Sequence, residues 1–503
     1  QLLRLLQQKA TVTQADLKAL LKAVGAEKVI PFWVFNGISA HVPAGQIEEI
    51  AALPGIRQIR MERVFRLQVT DTVSSGVPEW NIEAVRAPEL WAMGFTGQGV
   101  VVANMDSGVD VNHPDLTAGW RGGTNSWFDA FDANTTVPRD GDGHGTGTMS
   151  LMVGGDADGT AIGVAPGAQW IAARVFNDQR QATTTTIHQG FQWLLDPDGD
   201  PDTHDYPDVV NNSWSIERVD QCDTEFEPDV QALKTLGIAV VFAAGNYGPD
   251  MATSVSPANY PDSFAVGAVD DFFEIAPFSS RGPNACTEVN VVPANDPECK
   301  KCPKADVFPQ VVAPGTKNGP FVFGVKTAYR FNSYLFQEGT SFAAPHVAGA
   351  MALLIDAFPT ITVPELEKAI QRGAVDLGDY GPDDTYGHGL LDSVLAHVEI
   401  RCPRGRKGRD RDRDGVPNTC DNCTKVANER QRDTDGDGYG NFCDADLNND
   451  GIVNLLDFGM FRAAYGTTDP HADFDGNGMV NLIDFGIFRS YYGQPPGPSG
   501  LVP

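Results

Sequence analysis

The reading of this chain turns on Gly339-Thr-Ser-Phe-Ala-Ala-Pro-His-Val-Ala-Gly349. Its residues are small or apolar, and Ala350, Met351, Ala352, Leu353 and Leu354 extend that character. The pattern predicts a helix buried on nearly all sides. Pro345 is expected within the first few helical positions, where a backbone N–H has no intrahelical partner to lose. That puts Ser341 at the helix N-terminus, beside free amides and the positive dipole end, where a hydroxyl can be held against developing negative charge. Taken alone, Gly-Thr-Ser would equally suit a serine cap on a core helix.

From about Glu79 onward, short apolar runs alternate with helical segments. Gly99–Met105, Trp170–Val175, Val209–Ser213, Ile238–Ala244 and Ser263–Ala268 read as strands buried on both faces of a parallel sheet. Helices are expected between them, at Thr185–Leu195 and Asp229–Leu236. The fold class is therefore α/β, a layered parallel sheet with flanking helices, whose catalytic groups gather beyond the C-terminal strand ends.

Hydrolysing a peptide bond with a serine requires a base, a carboxylate that orients the base, and donors for the oxyanion. Asp106 stands just past an apolar run in Asn104-Met-Asp-Ser-Gly-Val-Asp110, and His144 opens a small-residue helix in Gly141-Asp-Gly-His-Gly-Thr-Gly-Thr148. Asn246 follows Val240–Gly245 at a strand end. Singly, these are a common turn, a helix-capping histidine and a turn asparagine.

Together with Gly339–Gly349 they closely resemble the motifs of the subtilisin-like serine proteases, in that family's order Asp, His, Ser. The resemblance covers about residues 1–400. It implies Ser341 as nucleophile, His144 as base, Asp106 as its orienting carboxylate, and Asn246 with the Ser341 amide as oxyanion donors. It further implies that Ser213-Trp214-Ser215 and Ala243-Ala244-Gly245 bind protein or peptide substrates by strand addition, with no catalytic metal or organic cofactor. Val209-Val-Asn-Asn-Ser-Trp214 and the long leading segment are most similar to the bacillopeptidase F branch. Two residues depart from the family pattern. Ser215 stands where Gly is general, narrowing the entrance to the first specificity pocket, and Gly147 stands where His is often repeated, leaving the triad untouched.

Residues 1–75 read as a small α+β domain, with a helix at Gln14–Gly25, strands flanking Asn36-Gly37, a short helix at Gln46–Leu53 and a strand at Gly55–Phe65. Its place before a protease resembles the family's inhibitory propeptide, and Leu67–Val77 suits a processing linker. The domains expected are 1–75, a peptidase domain at 76–400, and a tail at 401–445, 446–493 and 494–503.

The net charge of −29 is uneven. Residues 1–75 carry 9 basic and 6 acidic side chains, residues 76–401 carry 17 and 44, and the remainder 11 and 16. So acidic a middle segment will not hold nucleic acid through its general field, whereas the positive first segment suits it electrostatically. No run of about 18 apolar residues predicts a membrane span. A start at Gln1, without Met, suggests a targeting segment already removed. Eight cysteines, four in the middle and four in the tail, favour disulfides in a secreted protein. Cys299-Lys-Lys-Cys302 is read as disulfide rather than zinc, and Asn284–Phe308 as a stapled insertion. The acidic run Asp196–Asp208 reads as a solvated loop, with calcium as the alternative.

In the tail, Asp410, Asp412 and Asp414, then Asp433, Asp435 and Asp437, place carboxylates at alternate positions before Gly. This resembles thrombospondin type 3 repeats, which wrap calcium and close with disulfides; Cys402–Cys420 and Cys423–Cys443 are the pairs this suggests. A repeat of period 27 follows, Asp446–Asp457 and Asp473–Asp484. Oxygen ligands fall at loop positions 1, 3, 5, 9 and 12 (Asp446, Asn448, Asp450, Asn454, Asp457; Asp473, Asp475, Asn477, Asn481, Asp484), with Ile452 and Met479 at position 7 and Gly at 6. The paired loop–helix units resemble a dockerin, which implies structural Ca2+ and a cohesin-like or cell-surface partner. The function expected is a secreted endopeptidase made as a propeptide-inhibited zymogen. Its rival is a calcium-dependent surface protein that carries the protease fold passively.

Overall fold

The computed structural model describes residues 2–66, 70–72, 79–286, 307–318, 324–402, 409–435 and 437–501. Two compact units emerge. Gln1–Val85, Gly97–Val363 and Val375–Leu391 form the first; Arg86–Thr96, Pro364–Ala374 and Asp392–Pro503 form the second. The second unit thus takes in Arg86–Thr96, Pro364–Ala374 and residues 392–400, all three of which the sequence reading assigned to the peptidase domain.

The first unit is built on seven parallel strands, β1 (Val101–Asp106), β2 (Trp127–Asp129), β3 (Gln169–Arg174), β4 (Val209–Asn212), β5 (Ala239–Ala243), β6 (Phe264–Val269) and β7 (Val311–Pro314). Their order is β7-β6-β5-β4-β1-β3-β2. Every residue of β4, β5 and β6 is buried, as befits a sheet covered on both faces. β2 and β7 escaped the sequence reading; β2, with three residues, holds too little pattern. Because β1 pairs with both β3 and β4, the chain reverses its direction of travel across the sheet there, and ligands bind at the carboxyl ends of strands flanking such a reversal.

Two helices matter for the site, α1 (His144–Val153) and α2 (Thr340–Ala357). α2 is long and apolar enough to cross a membrane, but 83% of it is buried within the protein, which marks it as a core helix. Pro345 lies deeper than expected. It is the sixth residue of α2, past the unpaired first turn. The carbonyl its missing N–H leaves free, that of Ser341, is taken by the Ser213 hydroxyl at 2.7 Å. An antiparallel hairpin, β8 (Val325–Tyr329) and β9 (Ser333–Glu338), leads into α2.

The first segment forms helices at Leu2–Thr13 and Ala15–Ala23, a hairpin of Glu27–Phe32 with Gly37–His41, and a short helix at Ile47–Ala51. Asn36 in that hairpin adopts φ 57°. The strand expected over Gly55–Phe65 shrinks to Val64–Arg66 and pairs with Gln181–Thr183 of the peptidase sequence. Ile59 and Met61, read as strand residues, are exposed and have no sheet to cover. Thr70–Thr72 pairs with β9. Most of the linker and the Cys299–Cys302 pair lie outside the described residues. Cys222 bonds Cys286.

In the second unit, disulfides join Cys402 to Cys420 and Cys423 to Cys443. Helices Leu455–Ala464 and Leu482–Tyr491 pack through Phe461 and Phe488, whose ring centroids lie 5.3 Å apart.

Candidate active site

β1 ends on Asp106, and the buried His144 begins α1. The imidazole Nδ1 lies 2.8 and 2.9 Å from the two Asp106 carboxylate oxygens. Burial by itself disfavours the imidazolium, but the adjacent Asp106 outweighs it, helped by Asp142 and Asp140, so the His144 pKa rises above its ordinary value. The other ring nitrogen, Nε2, is buried and has no hydrogen-bond partner among the described residues.

One carboxylate that the sequence reading missed sets this geometry. Asp140 accepts bonds from the Ser107 hydroxyl, the Asp142, Gly143 and Thr146 amides, and the Thr146 hydroxyl. It thereby ties the turn after Asp106 to the start of α1. Its signal is the spacing Asp140-Gly-Asp-Gly-His144, an acid just ahead of a helix whose first amides need acceptors. Beneath the site, Asn104 reaches the Gly145 carbonyl and Thr148, and Asn211 joins Asn104 to Ser213.

Ser341 is the second residue of α2, so its N–H has no intrahelical acceptor. Its hydroxyl donates to the Ser213 carbonyl at 3.2 Å. The His144 ring stands edge-on to Phe342, the next residue along, with centroids 5.4 Å apart. Asn246 is held by its carbonyl side, since Oδ1 accepts from the Thr340 amide and hydroxyl at 2.9 and 2.8 Å. Its Nδ2 is left to face the space beside Gly339. A Cβ placed on Gly339 would lie 3.3 Å from Asn246 Nδ2 and 3.7 Å from Ser341 N. Two N–H donors therefore converge on one small cradle.

The other expected residues fall at the ends of β4 and β5. Ser213 is committed to Ser341 through both hydroxyl and carbonyl. The Trp214 side chain is buried in the core against Phe176, Phe191, Phe226 and Phe242. Ala243, Ala244 and Gly245 are buried, and Ser215 is half-buried.

In the tail, the duplicated loops fold alike. Gly451 and Gly478 donate to Asp446 and Asp473, while the Asn448 and Asp475 amides donate to Asp457 and Asp484. Asn454 and Asn481 use their carbonyl oxygens on the amides of Leu456 and Ile483, capping the helices that follow. Their amide groups donate to the carbonyls of Ile452 and Met479. Oxygens of Asp473, Asp475 and Asp484 come within 4.8 Å of one another, as do those of Asp410, Asp412 and Asp414, of Asp433, Asp435 and Asp437, and, in the first unit, of Asp196, Asp198 and Asp205. Burial first, then neighbouring carboxylates, pushes Asp433 up to about 7, Asp437 and Asp421 to about 6 and Asp444 to about 8. Carboxylates so placed need protons or a cation, and all-oxygen donors suit a hard one such as Ca2+.

Comparison with known proteins agrees with this architecture. Residues 97–389 match the model of the subtilase family, and residues 402–431 and 432–459 match the thrombospondin type 3 repeat. The second repeat match runs into the first duplicated loop. The chain is 33% identical to bacillopeptidase F of Bacillus subtilis (strain 168) over 405 residues, covering 74% of this chain but only 26% of that relative. It is 28% identical to subtilisin E of the same organism over 390 residues, 77% of this chain and 87% of the relative. With subtilisin DY of Bacillus licheniformis it shares 30% over 327 residues, which is 65% of this chain and 98% of that one. The chain belongs to the subtilase family of serine endopeptidases and carries thrombospondin type 3 repeats after its peptidase domain.

Proposed function

We propose that the chain is a secreted endopeptidase made as a zymogen, cutting proteins through Ser341, His144 and Asp106. The observation that carries this reading is the buried Asp106–His144 couple, with Nδ1 bonded to both carboxylate oxygens, beside the N-terminus of the helix that bears Ser341. In the reaction the Ser341 hydroxyl gives up the Ser213 carbonyl for His144 Nε2, which has no other hydrogen-bond partner among the described residues. His144 then takes its proton as the oxygen attacks the scissile carbonyl, and Asp106 holds the imidazolium that forms. The tetrahedral oxyanion lies in the cradle beside Gly339, met by Asn246 Nδ2 and Ser341 N–H. His144 later gives the proton to the leaving amine, and water releases the acyl group by the same route. With Trp214, Ala243 and Ala244 buried, substrate meets these segments through main chain, as strand addition requires.

Zymogen inhibition is supported by the pairing of Val64–Arg66 and Thr70–Thr72 with peptidase strands. The Ser341→Ala chain should neither process itself nor hydrolyse casein; an undiminished rate would remove the assignment. Because the base must be neutral, kcat/KM should rise with pH through an imidazole pKa above 6.5. Calcium binding by the tail rests on its converging carboxylates. A docking role for the tail is favoured by the repeated exposed pairs Leu455-Leu456 and Leu482-Ile483.

A further inference from the structure

The helix Thr184–Leu195 runs into the acidic loop of residues 196–208, which enters β4 at the end away from Ser213. Six of the thirteen loop residues are Asp, and none is Lys or Arg. Read from residue order, the loop is solvated or holds calcium. The fold gathers three of its carboxylates, since oxygens of Asp196, Asp198 and Asp205 lie within 4.8 Å of one another. Among the described residues, this is the one such group of three in the first unit.

Crowded carboxylates are common on protein surfaces, and crowding alone does not make a site. Asp196 makes the difference. It is only 8% exposed, and its Oδ1 is buried with no hydrogen-bond partner among the described residues. Its other oxygen, Oδ2, accepts from Gln7 Nε2 at 2.9 Å. A buried carboxylate oxygen in that state calls for a positive charge.

No side chain hydrogen-bonded to the group brings one. Asp205 accepts from the neutral Asn125 side-chain amide at 3.0 Å, and Asp198 from the Thr203 hydroxyl at 3.1 Å and the Asp200 main-chain amide at 2.8 Å. Arg121 reaches the loop, but its donors go to the Ser126 hydroxyl and to the carbonyls of Asn125 and Asp205. Arg4 pairs with Asp202, outside the group. Three adjoining carboxylates without a bonded ammonium or guanidinium are the all-oxygen donor set of a hard divalent ion.

We propose that Asp196, Asp198 and Asp205 hold a calcium ion in the first unit, separate from any held by the tail, with Asp196 Oδ1 as its buried ligand and Gln7 fixing that carboxylate through the second oxygen. The ion ties the end of the helix Thr184–Leu195 to the approach to β4. Its role is structural, because the loop meets β4 at the end opposite Ser213.

Terbium luminescence tests this on the full chain carrying Ser341→Ala, which keeps it uncut. Tb3+ accepts calcium's oxygen ligands and emits when a nearby tryptophan is excited. Trp193 stands three residues before Asp196, and its carbonyl accepts the Asp196 amide at 3.0 Å. No tryptophan occurs from residue 402 onward, so excitation at wavelengths beyond tyrosine absorption favours the first unit. The expected result is sensitised emission that millimolar calcium displaces. Asp198→Asn changes an exposed residue and keeps an acceptor oxygen for Thr203. It should raise the terbium midpoint by about tenfold or more, because one ligand charge is lost. Asp200→Asn removes the same charge from the same loop outside the group, and should move the midpoint by less than about twofold. Asp473→Asn, in the tail, should reproduce the parent curve. The proposal is overturned if the parent shows no calcium-displaceable emission or if Asp198→Asn titrates like the parent. It is equally overturned if Asp200→Asn weakens binding as much as Asp198→Asn, which would mark a diffuse acidic attraction, or if Asp473→Asn abolishes the signal, which would place the emitting ion in the second unit.

Discussion

At the scale of single residues, glycines decide what space the reaction has. Gly339 adopts φ 142° and ψ 161°, a conformation L residues rarely enter, and its missing Cβ leaves open the space faced by Asn246 Nδ2 and Ser341 N. Gly339→Ala should reduce kcat/KM by roughly 10²–10³, the loss that removal of one oxyanion donor causes in subtilisin and carried over from there. KM should change far less, because the cradle is filled only as the oxyanion forms. An unaltered kcat would place the oxyanion elsewhere. Gly147 illustrates the same point. A Cβ there would come 2.5 Å from Gln337 Oε1 and 3.3 Å from Phe342, so a histidine at this position would need its neighbours to move.

At the scale of elements, α2 carries a proline in its sixth position and is held there by a neighbouring strand end. The Ser213 hydroxyl supplies the bond that the Pro345 nitrogen cannot. Ser213→Ala should therefore cost about 1–3 kcal/mol, the usual penalty for stranding a buried acceptor. Pro345→Ala restores an N–H to the Ser341 carbonyl, so the double variant should be less destabilised than the two single changes predict. Denaturant unfolding of the four chains measures this coupling, and strict additivity would show that the two residues do not share the acceptor.

At the scale of the first unit, the leading segment meets the peptidase fold around a buried histidine. His188 lies 2.9 Å from Asp229 and 3.5 Å from Glu225, with the rings of Phe32, Phe35 and Phe226 against it. Arg63 pairs with Asp223 and Glu225, and Arg60 with Glu225. Burial opposes the charge on His188, but Asp229 and then Glu225 overcome it and raise its pKa to about 9. A folded pKa above the unfolded 6.5 means that this stabilisation is whole below pH 6.5 and disappears as pH climbs through about 9. The chain's melting temperature should fall across that window by the equivalent of at most roughly 3 kcal/mol, and His188→Gln should flatten the fall. The second unit has its own lever. Chelation should strip protection from residues 409–491 in hydrogen exchange before it affects the seven-stranded sheet, because buried carboxylates repel one another without a cation. Equal protection with and without chelator would remove the calcium argument.

How much of this was legible in the chain depended on the range of the interactions. Continuous apolar runs and fixed motif spacings are local, so β1, β3, β4, β5, β6, α2, the duplicated loops and the residues of the Asp106–His144 pair could all be read from residue order. Short or partner-dependent elements could not: β2 has three residues, and Val64–Arg66 is a strand only because Gln181–Thr183 lies beside it. Residue order by itself determined which chemical groups are present and which faces must be buried. Folding alone decided that Ser213 caps Ser341, that Asp140 aims His144, and that Gln7 meets Asp196. Those contacts join positions far apart in the chain, and hydrogen bonds and charges act only over a few ångströms.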